Sequence, residues 1–152
     1  MATLFLICGL PGSGKTTLAK QLEHSLPALR LCPDEWIAPL LTDSTDTVEL
    51  DRLRTPVESV QWKVAKRALI LGINVILENG FWSRDERASY RSQAEELGAH
   101  VELRFLDVSR DELWTRLSKR NENLPAGTFA VRKDQLDLWL SWFEPPTADE
   151  LG

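Results

Sequence analysis

Eight consecutive residues near the start of the chain, Gly9-Leu10-Pro11-Gly12-Ser13-Gly14-Lys15-Thr16, fill the pattern G-x-x-x-x-G-K-[ST] without a mismatch. Each fixed position has a chemical reason. Glycines let the backbone wrap closely around phosphate oxygens with its N–H groups turned inward, and the N-terminus of a following helix adds the positive end of its dipole. A lysine at the seventh position can reach the β- and γ-phosphates as a point charge, and a threonine hydroxyl at the eighth can hold Mg²⁺. An apolar run, Thr3–Cys8, leads into the pattern, and Leu18, Leu22 and Leu26 follow it at four-residue spacing. That is the strand–loop–helix setting in which the motif carries meaning. Gly9 through Thr16, with the adjoining Thr17, are therefore expected to bind a nucleoside triphosphate as a Walker A loop.

The rest of the chain narrows the class. A guanine-reading N/T-K-x-D string should occur late in a GTPase, and the nearest string, Arg132-Lys133-Asp134, does not fit it. A motor or helicase needs a second domain, for which 152 residues leave no room. What remains is the compact group built like nucleoside-monophosphate kinases.

Through Gly9–Thr16, Asp34, Glu78-Asn79-Gly80-Phe81 and Arg116 with Arg120, in that order, the chain resembles the small P-loop kinase family. That family is related to zeta toxins, polynucleotide 5′-kinases, gluconokinases and chloramphenicol phosphotransferases, and many of its members are known as AAA-family ATP-binding proteins. The resemblance covers essentially the whole chain. It implies a kinase that uses ATP and Mg²⁺ to move the γ-phosphoryl group onto an acceptor hydroxyl. It makes Asp34, just after the second strand, the group that orients the hydroxyl and takes its proton, with Glu35 as the alternative base. Strand C-termini line the ligand crevice of open α/β sheets, which suits that role. It makes Glu78 a Walker-B-like acid which, with Thr16, would hold Mg²⁺, although aspartate is commoner than glutamate there. Arg116 and Arg120, four apart on one helix face, become lid arginines whose forks suit charge spread over phosphoryl oxygens. Residues 116–128 would then be a short lid whose closure excludes water. ATP rather than GTP follows from the resemblance alone.

The elements that must position these groups can be read from periodicity and caps. Ala28–Cys32 reads as a second strand, and Thr42–Asp51 as a polar loop. Thr55-Pro56 reads as the start of a helix that ends at Gly72. Ile73–Leu77 and His100–Leu106 read as the third and fourth strands. Ser83…Glu86 and Ser109…Glu112 are capping boxes opening two helices, and Lys133–Phe143 is a last helix. Strand–helix alternation of this kind predicts a three-layer α/β fold, a parallel sheet of four to five strands with helices on both faces. The whole of 1–152 is expected to be one P-loop NTPase domain. Family members add a fifth strand after the stretch matching Pro145-Pro146, so here the sheet has four strands or its edge is covered by a tail or a neighbour.

Composition sets the outer bounds. Lys+Arg 18 against Asp+Glu 23 leaves a net charge of −5 and a pI of about 5.1, which disfavours a nucleic-acid binder. A small-molecule hydroxyl acceptor is therefore expected. A 5′-hydroxyl polynucleotide kinase is the alternative, with Arg52, Arg54, Lys63, Lys66 and Arg67 as its basic groove, and a slow ATP-hydrolysing switch is another. Arg84 and Arg87, at the start of a helix, are candidate anion ligands. Trp36 and Trp82 are candidate stacking platforms but read better as core, while Trp62, Trp114, Trp139 and Trp142 read as packing. No apolar run approaches the ~18 residues of a membrane span, and with no basic n-region or cleavage site near Met1 secretion is not expected. Cys8 and Cys32 have no metal-binding spacing and read as reduced thiols of a cytoplasmic protein, monomeric or homodimeric.

Overall fold

The computed structural model describes residues 1–151. Strand β1 (Thr3–Cys8) lies inside a parallel sheet whose order is β2-β3-β1-β4, with β2 at Ala28–Leu31, β3 at Asn74–Gly80 and β4 at His100–Phe105. Leu4 stands opposite Val75 on one side and Val101 on the other. The central strands carry no polar face because helices cover both sides. On one side α1 (Lys15–Ser25) sets Leu18, Ala19 and Leu22 against Phe5, Ile7 and Ile76. On the other, α3 (Thr47–Ile70) and α4 (Arg84–Glu96) bring Trp62, Ala65, Leu69 and Ala94 onto Leu4, Leu6, Leu77 and Leu103. Each fully buried aliphatic side chain contributes about 1.5–3 kcal/mol. The expected fold class is the observed one.

Two smaller clusters shape the crevice. Beneath the phosphate loop, α5 (Arg110–Asn121) and α6 (Lys133–Trp142) pack Leu113, Leu117 and Leu136 against Leu10. At the other end α2 (Pro33–Ile37), followed by a single 3₁₀ turn (Ala38–Leu40), sets Ile37 against Leu50, Val57 and Phe129.

Two boundaries differ most from the sequence expectation. Helix α3 opens at Thr47, where the Asp46 side chain accepts a hydrogen bond from the Glu49 N–H at 3.0 Å. Pro56 thus lies inside the helix, and the second half of the expected loop over 42–51, from Thr47 onward, is helical. A proline there forfeits a backbone hydrogen bond, but Leu50 and Val57 are buried on either side of it and anchor both halves. Strand β3 runs on to Gly80, which carries Glu78 and Asn79 within the strand. The sheet has four strands among the described residues, and a short helix α7 (Ala148–Leu151) lies beside β4. No helix among the described residues is long and apolar enough to cross a membrane.

Candidate active site

The loop between β1 and α1 is held open by its own backbone. The Gly9 N–H donates to the Gly80 carbonyl at 3.0 Å, and a Cβ on Gly9 would stand 2.5 Å from the Ser13 hydroxyl oxygen, so any side chain there would displace the Ser13 hydroxyl. Gly14 caps α1 at φ +97° with no side chain bonded to the first-turn amides. Those N–H groups and the helix dipole therefore face the loop as an anion site. The half-buried Lys15 donates from Nζ to the carbonyls of Gly9 (3.3 Å) and Leu10 (3.2 Å). Burial pushes its pKa below the usual lysine value, against the pull of the Asp34 and Glu78 charges.

Thr16 and Glu78 meet at the foot of the loop. The Thr16 hydroxyl donates to Glu78 Oε1 at 2.7 Å, and the Glu78 side chain is only 1% exposed. A threonine hydroxyl beside a buried carboxylate is a pair of hard oxygen donors, which fits Mg²⁺. The second Glu78 oxygen accepts from Arg30 Nη1 at 2.5 Å, and the same guanidinium bonds Glu35 at 2.6 and 2.8 Å and Glu23 at 3.0 Å. Cys32, Glu35 and Glu78 each bring one ligand atom within 4.8 Å of the others. Arg30 already supplies the cation for the two carboxylates of that group. Its hydrogen bonds hold the Glu35 carboxyl below the usual range. Nothing in the sequence reading singled out Arg30, although a lone charged residue within Ala28–Leu31 was the available signal.

Asp34 is the second residue of α2, whose N-cap is Cys32, so its carboxylate is not spent as a cap. Its Oδ1 lies 3.0 Å from Arg54 Nη2, and its charge acts on both Lys15 and Arg120. Arg120 donates from Nη2 to the Phe129 carbonyl at 3.3 Å, while its buried Nε has no partner among the described residues. Burial pushes its pKa down and the Asp34 charge opposes this. Arg116 is placed differently. It bonds Glu112 at 2.9 Å and reaches the Gly12 and Ser13 carbonyls at 3.3 and 3.4 Å, bracing the loop backbone from outside. The expected lid begins inside α5, and its loop part folds down onto α2: a Cβ on Gly127 would lie 2.9 Å from Glu35 Cγ. Asn121 pins the far end through two bonds to Val131, at 2.7 and 3.1 Å.

Several side chains go elsewhere. Arg84 and Arg87 bind the C-terminal helix rather than an anion in the crevice: Arg87 Nε meets Glu150 at 2.6 Å, and Arg84 meets Asp149 at 2.6 Å. Trp82 packs on Trp139 and donates to the Gly9 carbonyl at 3.3 Å, which makes it a wall of the loop. Trp36 lines an apolar groove of about 490 Å³ with Leu40, Leu53 and Val60. Trp142 is 58% exposed, not packed as expected. The candidate basic groove is partly neutralised, since Arg52 is paired with Glu49 and Arg54 with Asp34, and Lys66 sits over the Trp62 ring. Cys8 and Cys32 are unpaired, and burial raises their thiols to about 11 and about 12, so both stay protonated.

A family model described as an AAA domain matches residues 4–146. Among solved structures, a chain of the Pnkp1/Rnl/Hen1 RNA repair complex is similar at 22% identity and a TM-score of 0.72, covering 93% of this chain and 43% of that one. A sugar kinase from Janibacter sp. HTCC2649 is similar at 20% identity and a TM-score of 0.70, covering 100% of this chain and 83% of that one. Kti12 from Chaetomium thermophilum, in complex with ADP-AlF3, is similar at 17% identity and a TM-score of 0.69, with 95% and 81% covered. At these identities the likeness is one of fold, and the fold is that of P-loop kinases.

Proposed function

The chain belongs to the AAA domain family, which carries nucleotide binding, and from that membership we propose that it is an ATP-dependent phosphotransferase acting on the hydroxyl of a small molecule. What supports this reading is that Asp34, Glu78 and Arg120 lie near enough to Lys15 for their charges to bear on it, with the Thr16 hydroxyl on Glu78 beside the phosphate loop. In the transfer, the acceptor oxygen bonds to the γ-phosphorus as the bond from that phosphorus to the ADP oxygen breaks, and the hydroxyl proton passes to a carboxylate oxygen of Asp34. Asp34 is preferred to Glu35 because Arg30 ties both Glu35 oxygens. Little covalent work falls to the protein, so positioning and charge dominate. Lys15 leaves its loop carbonyls for the β- and γ-phosphates. Arg120, desolvated and with a free Nε, is set to meet charge on the phosphoryl oxygens. Arg116 acts through the loop backbone it braces. Mg²⁺, held by Thr16 and Glu78, would supply charge neutralisation between the β- and γ-phosphates.

The test is transfer of γ-labelled phosphate from ATP with Mg²⁺ to a pool of hydroxyl metabolites and, separately, to a 5′-hydroxyl oligonucleotide. Label on a small molecule, lost in Asp34→Asn while the ATP dissociation constant stays the same, is the expected result. Label on the oligonucleotide would favour a polynucleotide kinase, against which the pairing of Arg52 and Arg54 with carboxylates weighs. Free phosphate alone, at a rate indifferent to any acceptor and to Asp34→Asn, would mean a nucleotide switch instead.

A further inference from the structure

Two residues apart in the chain, Phe129 and Val131 seat in different apolar clusters. The half-buried Phe129 packs with Ile37, Leu50 and Val57 where α2 meets α3. Val131, 5% exposed, packs with Leu10, Leu117 and Leu136 beneath the phosphate loop. The stretch 129–131 therefore staples one wall of the crevice to the other. The end of α5 grips this staple at both residues. Arg120 donates from Nη2 to the Phe129 carbonyl at 3.3 Å. Asn121 donates to the Val131 carbonyl at 2.7 Å and accepts from the Val131 N–H at 3.1 Å. The seat of Phe129 also bears on Asp34. Ile37 follows Asp34 by three residues on α2, and Val57 follows Arg54, the ion partner of Asp34, by three on α3.

We propose that Phe129 is a positioning residue, whose seat on α2 and α3 sets the Arg120 guanidinium against Asp34 for phosphoryl transfer; this rests on the kinase reading above. An arginine side chain is long and flexible, so a hydrogen bond to a loop carbonyl fixes its guanidinium only if that carbonyl is itself fixed. Every residue from Glu122 to Ala126 is exposed, and such a stretch holds nothing still. The buried face of the Phe129 ring and the paired bonds of Asn121 are what hold the carbonyl. The Arg120 charge bears on both Asp34 and Lys15, which in that reading meet the acceptor hydroxyl and the β- and γ-phosphates. A cation held there acts on the group in flight, whereas one released from its carbonyl would be a solvated surface arginine. ADP lacks that group, so its binding should be indifferent to where Arg120 stands.

The experiment measures, by calorimetry with Mg²⁺, the affinity for ADP alone and for ADP with aluminium fluoride, a mimic of the phosphoryl group in transfer. In the parent, aluminium fluoride should tighten ADP binding, as a transition-state mimic does. Phe129→Ala should lose at least about tenfold of that gain while binding ADP alone like the parent, because a small misplacement of a positioned group is costly. Asn121→Ala, which leaves the apolar seat intact, should lose it too, and Phe129→Leu, which refills the seat, should keep it. In an Arg120→Met background, Phe129→Ala should cost nothing further, since the two residues act as one unit. A gain kept in full in both Phe129→Ala and Asn121→Ala overturns the proposal. So does an equal loss of affinity for ADP with and without aluminium fluoride, the mark of a fold merely weakened. A further loss in the Arg120→Met background overturns it as well, because Phe129 would then act through another group. If aluminium fluoride fails to tighten ADP even in the parent, the kinase reading falls and the proposal falls with it.

Discussion

Arg30 and Glu78 are joined by a 2.5 Å ion pair at the foot of the phosphate loop, 48 residues apart in sequence. The pair leaves Glu78 with one oxygen on a guanidinium and the other on the Thr16 hydroxyl. A carboxylate this deeply buried needs such hydrogen-bond partners. Arg30 therefore holds the acid in place, and its other bonds, to Glu23 and Glu35, fix the guanidinium itself.

Arg30→Met should lower stability by about 3–5 kcal/mol, the usual cost of stranding one member of a buried ion pair. The Arg30 side chain is 12% exposed and its partner 1%, so solvent cannot make up the loss. Urea unfolding with and without Mg²⁺ checks this. Added Mg²⁺ should recover part of the stability in the variant, because the cation can then partner Glu78. A loss below 1 kcal/mol would show that the pair holds no charge in place.

Glu150→Ala should be costly although it lies at the end of the described chain. Its carboxylate binds Arg87, which is 3% exposed and also donates to the Phe81 carbonyl at 2.8 Å. Phe81 holds a left-handed φ of +52° directly after β3, a conformation that persists only when its surroundings enforce it. Removing Glu150 strands the Arg87 charge and loosens that brace. The expected loss is about 3 kcal/mol or more in denaturant unfolding. A change within 0.5 kcal/mol would place the pair among ordinary surface bridges.

The phosphate loop was legible in the sequence because each of its positions answers to backbone geometry that is local: Gly9 to a close approach, Gly14 to a left-handed cap, Thr16 to the first turn of α1. The starts of α4 and α5 were legible for the same reason, and Ser83 and Ser109 each accept the N–H they were expected to, from Glu86 and Glu112. Thr55-Pro56 misled because its local signature of a helix start is real, yet Leu50 and Val57 gain enough by burial to carry the helix through it. Arg30 and Glu58 were illegible because what matters about them is what faces them, and their partners or neighbours come from other elements. Arg84 and Arg87 resembled anion ligands in sequence for the reason that they do bind carboxylates, those of α7.

Gly12→Ala should impair nucleotide binding more than folding. Gly12 has φ +86°, and a Cβ there would stand 2.9 Å from Leu117 Cγ and 3.4 Å from the Leu113 carbonyl. Leu117 is fully buried beneath the loop and cannot retreat. The strain is of order 1–3 kcal/mol, and the loop can relieve it only by moving its amides off the positions that phosphate needs. ATP titration calorimetry should show at least a tenfold loss of affinity, with a melting temperature lowered by a few degrees. Full affinity would mean that the loop adapts at this position.

Stability should fall as pH rises from about 4.5 to about 7, and Glu58 should be a main cause. Burial, with the Glu86 and Asp34 charges, raises its folded pKa from 4.5 to about 7 against the pull of Arg54. Between those values the folded chain keeps a proton that the unfolded chain has released, so unfolding becomes easier with each step up in pH, and the slope levels off once Glu58 is ionised in both states. The ceiling is about 3 kcal/mol, and partial solvent contact reduces the expected share to about 1–2 kcal/mol. Glu58→Gln should therefore flatten the stability profile between pH 5 and 7 and be the more stable protein at pH 8. Glu86, raised chiefly by its own burial, retains its part of the slope. Chemical denaturation at five pH values measures this directly, and a Glu58→Gln profile parallel to that of the parent would show that Glu58 is already ionised at pH 5 in the folded state.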